Sequence, residues 1–152
     1  MAVKPVPDGY HTVTPYLIVS GAAQAIDFYT RAFGATELMR MPDAKGRIGH
    51  AEIRIGDSVI MLADEHPEMG YRGPRALGGT SVSILLYVPD VDAMFERAIK
   101  AGGKSQRPVA DQFYGDRMGT LEDPFGHAWT IGTHVEDVSD EEIKRRMATA
   151  HA

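Results

Sequence analysis

The sequence predicts an α+β fold of two pseudo-symmetric βαβββ modules whose sheets face a shared cavity. Three observations carry that prediction. The chain repeats itself: Tyr16-Leu17-Ile18-Val19 and a helix-like stretch ending at Gly34 recur as Leu85-Leu86-Tyr87-Val88 and a helix-like stretch ending at Gly103. The offset of 69 residues (103 − 34) also carries Val59-Ile60-Met61-Leu62 onto Ala128-Trp129-Thr130-Ile131, and so long a period marks a module rather than a solenoid unit. Between the copies, Asp64 to Gly79 is polar and holds Pro67, Gly70, Gly73, Pro74, Gly78 and Gly79, the composition of a linker. The chain divides into an arm (1–12), a first module (13–66), a linker (67–81), a second module (82–137) and a terminal helix (138–152).

The elements follow in order. A strand is expected at Thr14 to Val19. A helix follows from Ala22 to Phe33, because Ala22, Ile26, Tyr29 and Phe33 form one apolar stripe and Gly34 signals a C-cap. Strands at Thr36–Met41 and Ile48–Ile55 flank a hairpin loop, Pro42 to Gly46, and Gly56-Asp57 turns the chain into a strand at Val59–Ala63. The second copy reads as a strand at Ser83–Val88, a helix near Val91–Ala101 and a weak strand near Lys104–Pro108. Strands near Met118–Glu122 and at Ala128–Thr133 follow, joined by a Pro124-Phe125-Gly126 turn. Ser139 and Glu142 form an S-x-x-E capping box for the terminal helix, whose Ile143 and Met147 need a surface to dock on. Alternation gives each sheet one face for its helix and one for the cavity. His50, Glu52 and Arg54 share a face of their strand, opposite Ala51, Ile53 and Ile55.

Composition narrows the partners. The net charge is −5 with no basic block, which argues against nucleic acid, since phosphate binding needs clustered Lys and Arg. The longest apolar run, Ser83 to Val88, is too short to span a bilayer, so no membrane partner is expected. Residues 1–11 lack the apolar core of a signal peptide. With no cysteine there is no disulfide and no thiolate ligand or nucleophile, and a cytoplasmic location is expected.

Several stretches resemble the vicinal oxygen chelate superfamily, which includes glyoxalase I, bleomycin-resistance proteins and extradiol dioxygenases. They are Ile26-Asp27-Phe28-Tyr29 with Phe33-Gly34, and Glu122-Asp123-Pro124-Phe125-Gly126. Gly115-Asp116-Arg117, His127, His50-Ala51-Glu52-Ile53 and Thr133-His134-Val135-Glu136-Asp137 are similar to its PhnB-like branch. The resemblance implies curved sheets around the cavity, a homodimer, and in metal-dependent members a divalent ion held by the first and fourth strands of each module. Those positions fall on Thr14, Met61, Ser83 and Thr130. None is His, Asp or Glu. Hydroxyls are poor ligands at neutral pH and a thioether suits copper(I), so neither a metal nor any other cofactor is expected.

Other residues are candidates in their own right. His50 beside Glu52 is a candidate base with its orienting carboxylate, or the start of a relocated metal site. Tyr16, Met61 and Tyr87 share the cavity parity and are expected to line a ligand pocket, with His50. Tyr114 and Arg117, in and just after a glycine-containing loop, are expected to reach the cavity mouth, Arg117 clamping an anion. Trp129 has the opposite parity and belongs against a helix. His127 and His134 are not placed in the cavity, and Asp64-Glu65-His66 reads as solvated loop. The leading expectation is a protein that binds a small organic molecule, anionic with an apolar or aromatic body, without metal. The alternatives are a metal-dependent lyase, isomerase or dioxygenase with relocated ligands, and a metal-free enzyme using His50 as general base.

Overall fold

The computed structural model describes residues 2–150. In the first module, β1 (Tyr16–Val19), α1 (Ala22–Phe33), β2 (Thr36–Pro42), β3 (Ile48–Ile55) and β4 (Ser58–Asp64) form a four-stranded sheet of order β1-β4-β3-β2. In the second, β5 (Ser83–Tyr87), α3 (Val91–Ala101), β6 (Lys104–Asp111), β7 (Asp116–Glu122) and β8 (Ala128–His134) repeat it as β5-β8-β7-β6. The linker holds a 3₁₀ turn at Pro67–Met69 and a single-turn helix, α2 (Pro74–Leu77); α4 (Asp140–Ala150) ends the described chain. Residue 1 of the arm and residues 151–152 of the expected terminal helix lie outside the described residues.

Both sheets are mixed for the same reason. The first strand of each module feeds a helix that crosses back, so β1 lies parallel to β4 and β5 to β8, while the hairpins are antiparallel. Helix starts are capped differently. Asp90 caps α3 by accepting from the Ala93 N–H, whereas α1 begins at Gly21 and borrows Asp64, whose Oδ1 accepts from Gly21 and Ala22. Asp64 also accepts from the Ile48 N–H at 2.8 Å, so this residue ties α1 to the sheet rather than hanging in solvent.

Each sheet buries its odd or even face on the helices. Leu17, Val19, Ala51, Ile53 and Leu62 join Leu121, Trp129 and Ile131 in one core that runs through both modules, with α1 against α3. Trp129 packs where its parity requires, against Tyr29 and Phe33 of α1, with ring centroids 5.2 and 4.8 Å apart. Asp123 sits at the centre of this junction, 2% exposed. It accepts from Tyr29 Oη (2.6 Å), Trp129 Nε1 (2.9 Å) and the backbone N–H groups of Phe125 and His127. Four donors satisfy the carboxylate, which is the condition for holding it in a core. Strands β1 and β5 are the unpaired inner edges of the two sheets, and grooves of about 780 and 850 Å³ run between them. His127 of the second module donates across the first groove to the Ile18 carbonyl at 2.9 Å.

Candidate functional site

The faces turned away from the helices carry the polar chemistry, and strand register aligns it in rows. In the first module Tyr16, Met61, Glu52 and Met39 lie side by side on β1, β4, β3 and β2. In the second, Leu85, Thr130, Thr120 and Arg107 lie side by side on β5, β8, β7 and β6. The two rows are the same place on the repeated scaffold.

On the first sheet the sequence candidates come together. His50 Nε2 lies 2.8 Å from Glu52 Oε2, and Tyr16 Oη lies 2.8 Å from His50 Nδ1. The carboxylate accepts, so Nε2 carries the proton and the Nδ1 lone pair accepts from the tyrosine. Tyr10 of the arm donates to the other oxygen of Glu52. The hydrogen bonds from Tyr10 and His50 hold the Glu52 carboxyl below the usual carboxylate range. Burial, with Tyr71 and Glu52 nearby, pushes the Tyr16 phenol up, so it is a donor and not a phenolate. Met61, half-buried, lies beside Glu52 and Tyr16 in the row.

On the second sheet the candidates divide. Tyr87 is on the open face and donates to Asp116 Oδ2 at 2.7 Å, and Tyr114 lines a cavity of about 270 Å³ with Arg107, Met118, Thr120 and Thr130. Arg117 does not reach it. Strand β7 begins at Asp116, two residues earlier than expected, so alternation sends Asp116 to the open face and Arg117 to the helix side. There Asp92 of α3 holds its Nε and Nη2 at 2.9 Å and Asp111 holds Nη1 at 3.1 Å. The anion clamp expected of Arg117 is therefore an intramolecular ion-pair centre. His134 corrects the opposite way. It pairs with Asp116 across β7 and β8 and shares the parity of Thr130, so it is on the open face. Its Nδ1 and Nε2 both lie 2.7 Å from carboxylates, of Asp116 and Asp137, and these hydrogen bonds raise its pKa. Burial pushes Asp116 up, and the hydrogen bonds from His134 and Tyr87 more than reverse it.

The metal positions have no suitable donors. Thr14 precedes β1 and donates its hydroxyl to the His11 carbonyl; Ser83 is exposed and lies beside Ala128; Thr130 is hydrogen-bonded to Thr120 at 3.0 Å. Among the described residues no three His, Asp or Glu side chains converge as a metal site requires. The donor set does not fit a divalent ion.

The chain matches a known family. The model for the "Glyoxalase/Bleomycin resistance protein/Dioxygenase superfamily" matches residues 10–131. The chain belongs to this superfamily. Among solved structures it is similar to protein PA1353 from Pseudomonas aeruginosa, with 30% identity and a TM-score of 0.67 over 83% of this chain and 99% of that one. It is also similar to TioX from Micromonospora sp. ML1, with 28% identity and a TM-score of 0.64 over 85% and 100%. A PhnB protein from Bacillus cereus, at 18% identity and a TM-score of 0.64 over 81% and 99%, shares the fold. In sequence it is 46% identical over 140 residues to the uncharacterized protein Rv0887c of Mycobacterium tuberculosis strain H37Rv, covering 90% of this chain and 82% of the relative. No helix among the described residues is long and apolar enough to cross a membrane.

Proposed function

We propose that the protein is a binding protein of the glyoxalase/bleomycin-resistance type, holding a small organic molecule on its open sheet faces without the divalent ion of its metal-dependent relatives. The observation that carries this reading is the donor set: Thr14, Met61, Ser83 and Thr130 stand where those relatives place ligands, and two of the three hydroxyls already serve the protein's own hydrogen bonds. A protein made without added metal should carry under about 0.2 equivalents of zinc, nickel, iron or manganese per chain. It should give saturable thermal shifts with members of a small-molecule library, unchanged by chelator. Stoichiometric metal lost on changing His50 or Glu52 to Ala, or hits that vanish with chelator, would overturn it.

A second reading, a metal-free enzyme with His50 as general base, draws on the Tyr16–His50–Glu52 chain. Glu52 orients the ring as a catalytic carboxylate would. The Nδ1 lone pair, however, is engaged by Tyr16, so a substrate would have to displace that hydroxyl first.

The working unit is proposed to be a cytoplasmic homodimer. The unpaired edges of β1 and β5, with Val13, Val82 and Tyr87 more than 60% exposed, supply an apolar surface for a second copy. Light scattering that returned a 16.6 kDa particle at micromolar concentration would remove this part of the proposal.

A further inference from the structure

The cavity on the second sheet holds a cation with no counter-charge. Arg107 has no hydrogen-bond or ion-pair partner among the described residues, whereas Arg117 and Arg146 are each held by two carboxylates. The difference comes from β6. Its register slips on both sides of Arg107, yet Arg107 stays opposite Thr120, which lies opposite Thr130. The guanidinium thus ends a row whose next two members are hydroxyls.

Those hydroxyls have donor capacity left over. Thr120 and Thr130 bond to each other at 3.0 Å; one proton makes that bond and the other is free. Tyr114 Oη donates only to the Met118 thioether, at 3.3 Å, a weak acceptor that a carboxylate oxygen would displace. No Asp or Glu lines the cavity. Leu85, Met118 and Pro108 give it an apolar patch, Gln112 turns its amide N–H to the Ala110 carbonyl, and the volume of about 270 Å³ suits a small molecule. One planar cation and two spare O–H donors beside the Leu85–Met118–Pro108 patch match a monoanionic carboxylate on a short apolar or aromatic body.

We infer that Arg107, with the Thr120–Thr130 pair and Tyr114, forms a carboxylate-binding site on the second open face. This rests on the small-molecule reading above and names its ligand class. A dianionic phosphate ester would meet a single positive charge and is disfavoured.

The test is an amide chemical-shift titration of the full chain with benzoate, with benzamide as the neutral isostere and with phenyl phosphate as the dianion. Benzoate should perturb the amides of Gly119, Thr120 and Thr130, about tenfold more tightly than benzamide or phenyl phosphate. Arg107→Gln should weaken benzoate about ten- to a hundredfold, while Arg72→Gln, at the inter-module groove, should not. Arg107→Lys should recover only part, since a point charge lacks the fork. The inference is overturned if benzoate binds Arg107→Gln as it binds wild type, if its shifts map to His50 and Glu52 or to the groove, or if it perturbs nothing at millimolar concentration. Benzamide matching benzoate at these amides would overturn the carboxylate class and keep the small-molecule reading; tighter phenyl phosphate would overturn it likewise. Failure of the small-molecule reading itself appears elsewhere, as chelator-sensitive hits or an empty library screen.

Discussion

The rows Tyr16–Met61–Glu52–Met39 and Leu85–Thr130–Thr120–Arg107 occupy equivalent positions on two copies of one sheet, yet they are chemically opposite. The first holds a carboxylate, and the protein answers it internally with Tyr10 from the arm and with His50, itself bonded to Tyr16. The second holds a cation that the described residues leave unanswered, above a cavity. A repeated backbone fixes where side chains point, and four substitutions along one row decide whether a face closes on itself or awaits a ligand.

The largest effect that would sharpen this contrast is on stability. Glu52→Leu removes the acceptor shared by Tyr10 and His50 and should cost about 1–3 kcal/mol, read as an earlier midpoint in urea, with the arm before β1 more readily cleaved by protease. An unchanged midpoint would mean that the first face is not self-satisfied. A smaller effect is expected at Gly132. A Cβ there would meet Met118 Cγ and Cε at 3.2 Å, so Gly132→Ala should push the flexible thioether toward the second cavity and cost about 1 kcal/mol or less. Any carboxylate bound there should weaken.

The His134–Asp116 pair, on the second open face at the start of β7 and the end of β8, should set a pH dependence. Asp116 has a lowered pKa, so its contribution is full above the ordinary carboxylate value of about 3.9 and is lost as pH falls through the lower folded value. His134 has a raised pKa, so its contribution is full below the ordinary value of about 6.5 and is lost as pH rises through the higher folded value. The pair therefore contributes most between about pH 4 and 6.5. His134→Gln should flatten the alkaline side of the melting-temperature profile, and an identical profile in the variant would refute the pairing. The smallest effect closes the comparison: Arg107→Gln should move stability by about 0.5 kcal/mol or less, because the guanidinium has no partner to lose. A large loss there would make Arg107 structural and erase the difference between the faces.

The modules were legible in the sequence because the offset of 69 carries apolar strands and a C-cap glycine together, and the structure aligns β1 with β5 and β4 with β8 on that offset. That Tyr16, His50 and Glu52 share the open face was legible too, since parity on each strand suffices for it, although β4 lies between β1 and β3. Arg117 was misread because it was taken as part of a loop reaching the cavity mouth: β7 already begins at Asp116, so strand alternation fixes Arg117 on the helix side. Arg107 was passed over because Pro108 made β6 look like a weak strand, and proline is tolerated there only because β6 is an edge. The repeat did not point to it. The offset of 69 carries Met39 onto Pro108, and only the strand pairing puts Arg107, 68 residues on, in the place of Met39. Nothing in the spacing announced that Asp64 would cap α1 or that Asp123 would bond to Tyr29, because both partners are distant in sequence and meet only once the modules dock.

Asp123 has a further consequence for how the molecule breathes. Its carboxylate accepts from Tyr29 of the first module and Trp129 of the second, inside an aromatic cluster that belongs to both. If the second module opens, the Tyr29 hydroxyl loses its acceptor, and if the first opens, buried Asp123 loses one of its four donors. The most protected amides of β3 and β7 should then exchange with solvent at one common opening free energy, so a chain written as two copies behaves as a single foldon.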